Sequence, residues 1–469
     1  MVSGGFTRAA WLLSSAVALC ASGCACEPVD LTGARFACTE DTDCLQGFAC
    51  GADGFCADTS ATADAGSGDG GATDGGCVAS EASEHACHNG VDDDCDGQAD
   101  CEDPDCEGLV CAAGGALACQ SGTCGCGVKE VLIAQGAHAG GTVLPFEGRL
   151  AWLYGGEDGG IFYGECEGAC DTLQTQMLDA PAYPRQRPML KRGGNGLIAA
   201  WRRTGGGIGF GECAGSCLDG GFETAVLPGF NLGPMPPDVA AAGTARAIIA
   251  MDANDRPIWV ECDSGCDDPS RWTSRVLSSA GKPRGLAAAM WELEDGGIQR
   301  LAAYGNPLVT RTCAGNCAAA SAWSSPLTLD SDSFQPELQR NDAGRIALFA
   351  RSDALKRLFA FICEAGSDCG VPQAWSPVVA WSFPAETRDF NASVTPDGRF
   401  AFTTSSLTTL FTGEETATGF TSAEARLCDG GTFVVREPGG FLDARGRWTI
   451  LHHSDQHGTR LYLPYPSNP

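Results

Sequence analysis

A chain of 469 residues exceeds the size at which one hydrophobic core usually stops growing, so more than one unit is expected. Its 64 glycines, against 43% apolar and 19% charged residues, favour a turn-rich β protein over a helical one. A formal net charge of −29 argues against nucleic acid and anionic lipid surfaces as electrostatic partners.

The N-terminus reads as an export signal over residues 1–23. Arg8 is a short basic region, and 9–19 is an apolar run interrupted only by Ser14 and Ser15, too short to span a bilayer. Ala21-Ser22-Gly23-Cys24 resembles a lipobox. The resemblance implies that Cys24 becomes an acylated N-terminus on a tether over 24–37, with the membrane as partner through the lipid. Ala25 stands where inner-membrane retention uses Asp, which implies an outer-membrane, cell-surface lipoprotein. Ala21 departs from the usual Leu, and the alternative is an ordinary secretory signal cleaved nearby. No other stretch is long and apolar enough to cross a membrane as a helix.

The 27 cysteines, at regular spacings, point to a compartment in which disulfides persist. Cys38, Cys44, Cys50 and Cys56 follow a C-x5-C-x5-C-x5-C pattern over 38–56. So few apolar residues accompany them that disulfides must hold the piece together. It resembles small cysteine-rich modules of secreted proteins from large-genome Gram-negative bacteria. Zinc fits poorly, because ligand pairs usually sit closer and no histidine is near. Residues 57–76 (ADTSATADAGSGDGGATDGG) read as a flexible linker with nothing to bury.

A second cysteine-rich module spans 77–126. The acidity is concentrated here and in the linker: between Phe36 and Val128 there are 19 Asp or Glu and no Lys or Arg. Within HNGVDDDCDGQADCEDPDC, Asp92, Asp94 and Asp96 alternate and Gly97 follows, matching the start of a calcium loop. Gln98 would offer its backbone carbonyl, Asp100 falls at a direct or water-mediated position, and Asp103 takes the last. The flanks lack helix-forming runs, so the loop is stapled rather than held between helices. The stretch resembles the metal-binding NGxDxDCDG-type motif of bacterial surface proteins and thrombospondin-type calcium repeats. Copper is associated with some of the former, but carboxylate oxygens suit calcium better. The alternative is an acidic, disulfide-held spacer.

From 127 to 469 the chain repeats at about 50 residues. Five segments end a strand in a cysteine pair: GIFYGECEGAC, GIGFGECAGSC, PIWVECDSGC, PLVTRTCAGNC and RLFAFICEAGSDC. The pairs are Cys166/Cys170, Cys213/Cys217, Cys262/Cys266, Cys313/Cys317 and Cys363/Cys369. Each follows another β-prone strand, and two further units, at 400 and 448, keep the strands without the cysteines. Four strands per unit and seven units predict an all-β, seven-bladed β-propeller preceded by small disulfide-rich modules. Six or eight blades and a β-solenoid are the alternatives. The last unit stops after three strands, and VKEVLIA from Val128 is a strand without a unit. It is read as the outer strand of blade seven, closing the ring. The triplets EGA, AGS, DSG and AGN between paired cysteines all contain glycine, as a tight turn between two strands requires. A disulfide across each turn contributes ~2 kcal/mol on the chain-entropy model. A shared metal is excluded by the distance between neighbouring blades.

His452-His453-x3-His457 holds half of the six histidines and is expected in or beside a blade-seven loop. Three imidazoles suit zinc or copper, with a polar hairpin as the plainer reading. No G-x-S-x-G, H-E-x-x-H or Ser-x-Asp-x-Gly-x-x-Trp box occurs. Setting aside Cys20 and Cys24 leaves 25 of the 27 cysteines, an odd number. Cys428 has no local partner; pairing near Cys126, with Cys26 left over, is one solution. The whole reads as a non-catalytic surface lipoprotein with a recognition or scaffold role. It would bind a glycan or protein ligand on the propeller face, beside a calcium-stabilised module. The alternative is an extracytoplasmic hydrolase or lyase acting on polysaccharide. Three or more arginines, or paired carboxylates, converging on the central channel would favour it.

Overall fold

In a computed structural model of the chain, the described residues are 48–50, 56–58, 79, 83, 87, 90–106, 109, 117–120, 122–126, 128–135 and most of 139–464. Stretches outside the description include 1–47, 59–78, 110–116, 183–186, 228–234, 384–388, 426–434, 455–457 and 465–469. The signal peptide, Cys24, the tether, the linker, Cys26, Cys428 and His457 therefore lie outside the described residues. The chain divides into two units, 1–76 and 77–469. In the first, Phe48–Cys50 pairs antiparallel with Cys56–Asp58, setting Cys50 opposite Cys56.

The second unit begins with the acidic module. Cys87–Cys106 and Cys101–Cys119 are disulfide-bonded, and these four sulfur-bearing residues, with Leu109 against them, form its only described apolar cluster. So small a core needs covalent staples. Two 3-10 turns, Asp100–Glu102 and Pro104–Cys106, and the hairpin Leu117–Gln120 with Thr123–Cys126 complete it.

Seven four-stranded antiparallel sheets follow, each in simple up-and-down order. Their first strands are Ala139–Phe146, Met189–Gly193, Asp238–Ala242, Leu286–Glu292, Phe334–Arg340, Phe390–Val394 and Val435–Leu442. The last sheet takes its outer strand from far back in the chain. Val128–Ala134 pairs with Gly458–Pro464, from Val128 opposite Pro464 to Ala134 opposite Thr459. The seven-bladed ring is thereby closed by its own N-terminal strand, and no sheet is left one strand short.

The cysteine pairs of blades one to five are all disulfides across the turn after the third strand: Cys166–Cys170, Cys213–Cys217, Cys262–Cys266, Cys313–Cys317 and Cys363–Cys369. That chemistry belongs outside a reducing cytosol. In blades two to five a glycine carries the left-handed step of the turn, at Gly215, Gly265, Gly315 and Gly366. Blade one shares the left-handed step between a glycine and the second cysteine. Cys170 itself stands in the left-handed region at φ 56°, beside Gly168 at φ 54°. The physical reason is a different hydrogen bond: the Cys170 N–H closes the turn on the Glu167 carbonyl at 3.0 Å, whereas the Cys217 N–H reaches the Glu165 carboxylate of the preceding blade. No helix among the described residues is long and apolar enough to cross a membrane.

The second strands are buried on both faces, as in LAWLY and AIIAM, because each blade is covered by its neighbours. Local sequence meets this packing in three repeated ways. Trp152 and Trp201 lie directly opposite Gly164 and Gly209 on the next strand, where a Cβ would fall 2.3 and 2.0 Å from the indole. An aromatic on the third strand of one blade meets, edge-on, an aromatic just before the outer strand of the next. The pairs are Tyr163–Phe222, Phe210–Trp272 and Trp259–Trp323, at 4.7, 4.9 and 5.1 Å between ring centres. Finally, the Glu before the first cysteine reaches the following blade. Glu165 accepts from the Cys217 backbone N–H (3.2 Å), Glu212 from Arg246, and Glu261 from Arg300 Nε (2.7 Å).

Candidate functional site

The first strands of all seven blades line an axial cavity of about 1190 Å3. Hydrogen bonds between these strands hold its wall. Asp238, at the head of its strand in blade three, accepts from Lys191 Nζ of blade two (2.6 Å) and from the Ala288 N–H of blade four (2.8 Å). Its other oxygen accepts from Val239 N–H at 2.8 Å. Glu337 of blade five accepts from Arg187 Nη1 (3.2 Å), from Ala392 N–H (2.6 Å) and from Asn391 Nδ2 (3.3 Å). Asn391 Oδ1 in turn accepts from Gly440 N–H of blade seven at 3.0 Å. Burial pushes the Glu337 carboxyl above the usual carboxylate range, against the opposing pull of Arg187.

The ring thus gathers arginines and carboxylates at its axis, where Arg187, Asp238 and Lys191 all act electrostatically on Glu337. Arg192 and Arg340 sit toward the ends of their inner strands, with Arg192 donating to the Pro145 carbonyl and Arg340 lying over the Trp291 ring. Arg187 stands at the opposite end, just before its strand, 9% exposed. Asp238 and Glu337 have both oxygens engaged. Their first task is to join blades.

In the acidic module, Asp92, Asp94 and Asp96 are brought together, with one carboxylate oxygen of each within 4.8 Å of the others. Gly97, at φ 97°, turns the loop, and its N–H donates to Asp92 Oδ2 at 2.9 Å. Gln98 folds back on Asp96, its N–H donating to Oδ1 at 2.9 Å. Asp100 and Asp103 stand outside this cluster. Both oxygens of Asp100 accept from Gly90 N–H, at 3.2 and 3.0 Å. Asp103 is 2% exposed, and its Oδ1 accepts from Asp105 N–H at 2.7 Å. The alternating Asp triplet fits a hard cation; Asp100 has both oxygens on the Gly90 N–H, and Asp103 has Oδ1 on Asp105 N–H and a buried Oδ2 without a hydrogen-bond partner among the described residues.

His452 and His453 lie near the end of the strand Trp448–Ser454, beside the turn to the next strand, and the strand pairs through to Ser454 opposite Gly458. Both are buried, and His452 stacks on the Tyr462 ring at 5.1 Å. Adjacent strand residues project to opposite faces, so the two rings cannot share one ion.

Sequence reasoning did not single out Arg187, Gln335 or Glu337. They come from blades two and five, Arg187 and Glu337 being 150 residues apart, and no motif surrounds them. A signal was available for the C-x5-W spacing of Cys266–Trp272, Cys317–Trp323 and Cys369–Trp375. In two of these the indole N–H donates back to the cysteine carbonyl at 2.9 Å.

The fold defines a seven-bladed β-propeller. No protein-family model and no curated protein sequence matches the chain. Among solved structures it is similar to AofleA from Arthrobotrys oligospora, at 11% identity and a TM-score of 0.42, covering 73% of this chain and 94% of that one. It is also similar to a lectin in complex with alpha methyl fucoside, at 12% identity and a TM-score of 0.42, covering 62% and 97%. Trypanosoma rangeli sialidase in complex with sialic acid gives 10% identity and a TM-score of 0.39, covering 73% and 59%. Likenesses this distant say nothing of ligand or activity.

Proposed function

We propose that the protein is a non-catalytic, surface-displayed recognition propeller. Its axial channel is the binding site, its N-terminal acidic module holds calcium, and Cys24 carries a lipid anchor in the outer membrane. The observation that carries the recognition reading is the engagement of Asp238 and Glu337. A general acid or nucleophile needs an oxygen available to the reacting atoms, whereas both oxygens of each carboxylate already accept hydrogen bonds, Asp238 Oδ2 from blades two and four and Oδ1 from its own Val239 N–H, Glu337 from Arg187 and Ala392. The lined volume remains accessible for a ligand.

The raised Glu337 carboxyl favours a second reading, an extracytoplasmic hydrolase with Glu337 as general acid. The two separate cleanly. The purified full chain, screened against a polysaccharide panel, is expected to bind at least one member without releasing reducing ends. Reducing-end release that disappears in Glu337→Gln would establish the enzyme instead.

A further inference from the structure

We propose that the Arg187 end of the channel is a carboxylate site for an acidic sugar, an inference that rests on the channel being the binding site. Arg187 uses only one corner of its guanidinium. Its Nη1 donates to Glu337 Oε1 at 3.2 Å and to the Phe390 carbonyl at 3.3 Å. Its Nε and Nη2 are buried and have no hydrogen-bond partner among the described residues. Those two nitrogens form one edge of the plane, a pair of parallel donors spaced for the two oxygens of a carboxylate. Among the described residues Arg246 Nε and Arg275 Nε and Nη1 are also buried without a hydrogen-bond partner, but only Arg187 leaves both Nε and Nη2 bare at the channel, and two other arginines fill that edge. Arg345 sets Nε and Nη2 on Glu364 at 3.0 and 3.4 Å, and Arg351 sets them on Asp353 at 3.0 and 3.3 Å. Leaving buried donors unmade carries their full desolvation penalty, so a native protein rarely does so without a reason.

Gln335 supplies a second, independent observation. The ladder of blade five slips between Phe334 and Glu337, which bulges Gln335 and Pro336 out of register. Gln335 sits at φ 50°, in the left-handed region that a side chain avoids. The bulge is accommodated by Gly285 of blade four, where a Cβ would lie 2.5 Å from the Gln335 Cα. Strain of this kind is retained where it aims a residue. The Gln335 side chain lines the cavity, its Nε2 donates to Asp389 Oδ1 at 3.5 Å, and its Oε1 is a buried acceptor without a donor among the described residues.

A fork of donors for a carboxylate beside an amide acceptor suits a ligand that carries one carboxylate among several hydroxyls. Glu337 next to the fork repels a phosphate dianion more strongly than the single charge of a carboxylate. An acidic sugar answers both groups.

The test titrates the full chain with sodium glucuronate, glucose and N-acetylglycine, by saturation-transfer NMR. Glucuronate is expected to bind saturably in the millimolar range, with glucose and N-acetylglycine at least about tenfold weaker. Arg187→Lys keeps the charge but loses the fork, and should weaken glucuronate about tenfold or more while still unfolding cooperatively. Gln335→Ala should weaken it less, without touching Arg187. Glucuronate binding unchanged in Arg187→Lys, or none up to about 50 mM, overturns the inference. So does N-acetylglycine binding as tightly as glucuronate. If a neutral polysaccharide binds the channel and is indifferent to Arg187→Lys, the recognition reading survives and this one falls. If no saccharide reaches the channel, both fall.

Discussion

Neutralising Glu261 should destabilise the ring far more than neutralising its counterpart one blade earlier. Glu261 is 4% exposed and accepts from Arg300 Nε at 2.7 Å and from Trp259 Nε1 at 2.8 Å, with Arg275 at 3.9 Å. Arg300 is equally buried, and its Nη1 is fixed by the carbonyls of Ile298 (2.8 Å) and Gly315 (2.9 Å), so it cannot swing out to water. Glu261→Gln leaves the buried Arg300 guanidinium without its counter-charge, a loss of about 3–5 kcal/mol. Replacing both partners, Glu261→Met with Arg300→Met, removes charge and counter-charge together and should cost clearly less than the single change. Glu212, with its carboxylate one-third exposed, is the internal control, and Glu212→Gln should cost about 1 kcal/mol or less. Urea unfolding followed by tryptophan fluorescence reads all three, since Trp259 touches the site. If Glu261→Gln falls within about 1 kcal/mol of the parent, or the double variant is worse than the single, the buried-pair reasoning is wrong.

Three further outcomes are expected. Calorimetry on the full chain should find one weak calcium site, at about 10⁻⁴–10⁻³ M, that disappears in Asp94→Ala; absence of heat at millimolar calcium would remove the cation from the acidic loop. Labelled palmitate should enter the protein through Cys24 and be absent from Cys24→Ser, which should then be released from membranes; a wild-type protein found free in the medium would leave an ordinary signal peptide. Removing residues 1–126 should leave a soluble ring, whereas removing 1–135 strips the partner from Gly458–Pro464 and should cause aggregation. Equal solubility of the two truncations would mean that the closing strand is dispensable.

The blades were readable because each repeats one local pattern: an apolar strand, a second strand, and in five of them a cysteine pair across a glycine-bearing turn. Even the closing strand was accessible by counting, since blade seven lacks an outer strand and Val128–Ala134 lacks a sheet. The backbone at Cys170 was not legible, because the same C-x3-C spacing serves turns that place the left-handed step on glycine alone and one that shares it with the cysteine. Nor was the channel. Arg187 meets the Phe390 carbonyl across 203 residues, and only closure of the ring brings blade two to face blades five and six. Gln335 is decided by a register slip that no residue pattern announces. His452 and His453 stand at the end of their strand, beside the turn as the spacing suggested, but their burial and the stacking of His452 on Tyr462 were not legible in the sequence. Among the acidic residues, spacing identified the triplet at 92, 94 and 96. It did not show that Asp100 and Asp103 stand outside that triplet, each with an oxygen on a backbone N–H of the loop.

Recognition through the axial channel is tested most directly by hydrogen exchange on the full chain, with and without a polysaccharide that binds it. The account predicts slowed exchange at 187–193, 334–340 and 389–394, the inner-strand segments that carry Arg187, Gln335, Glu337 and Asn391, with no product released. Protection confined to the outer strands or to 90–106, with those inner segments unchanged, would contradict it.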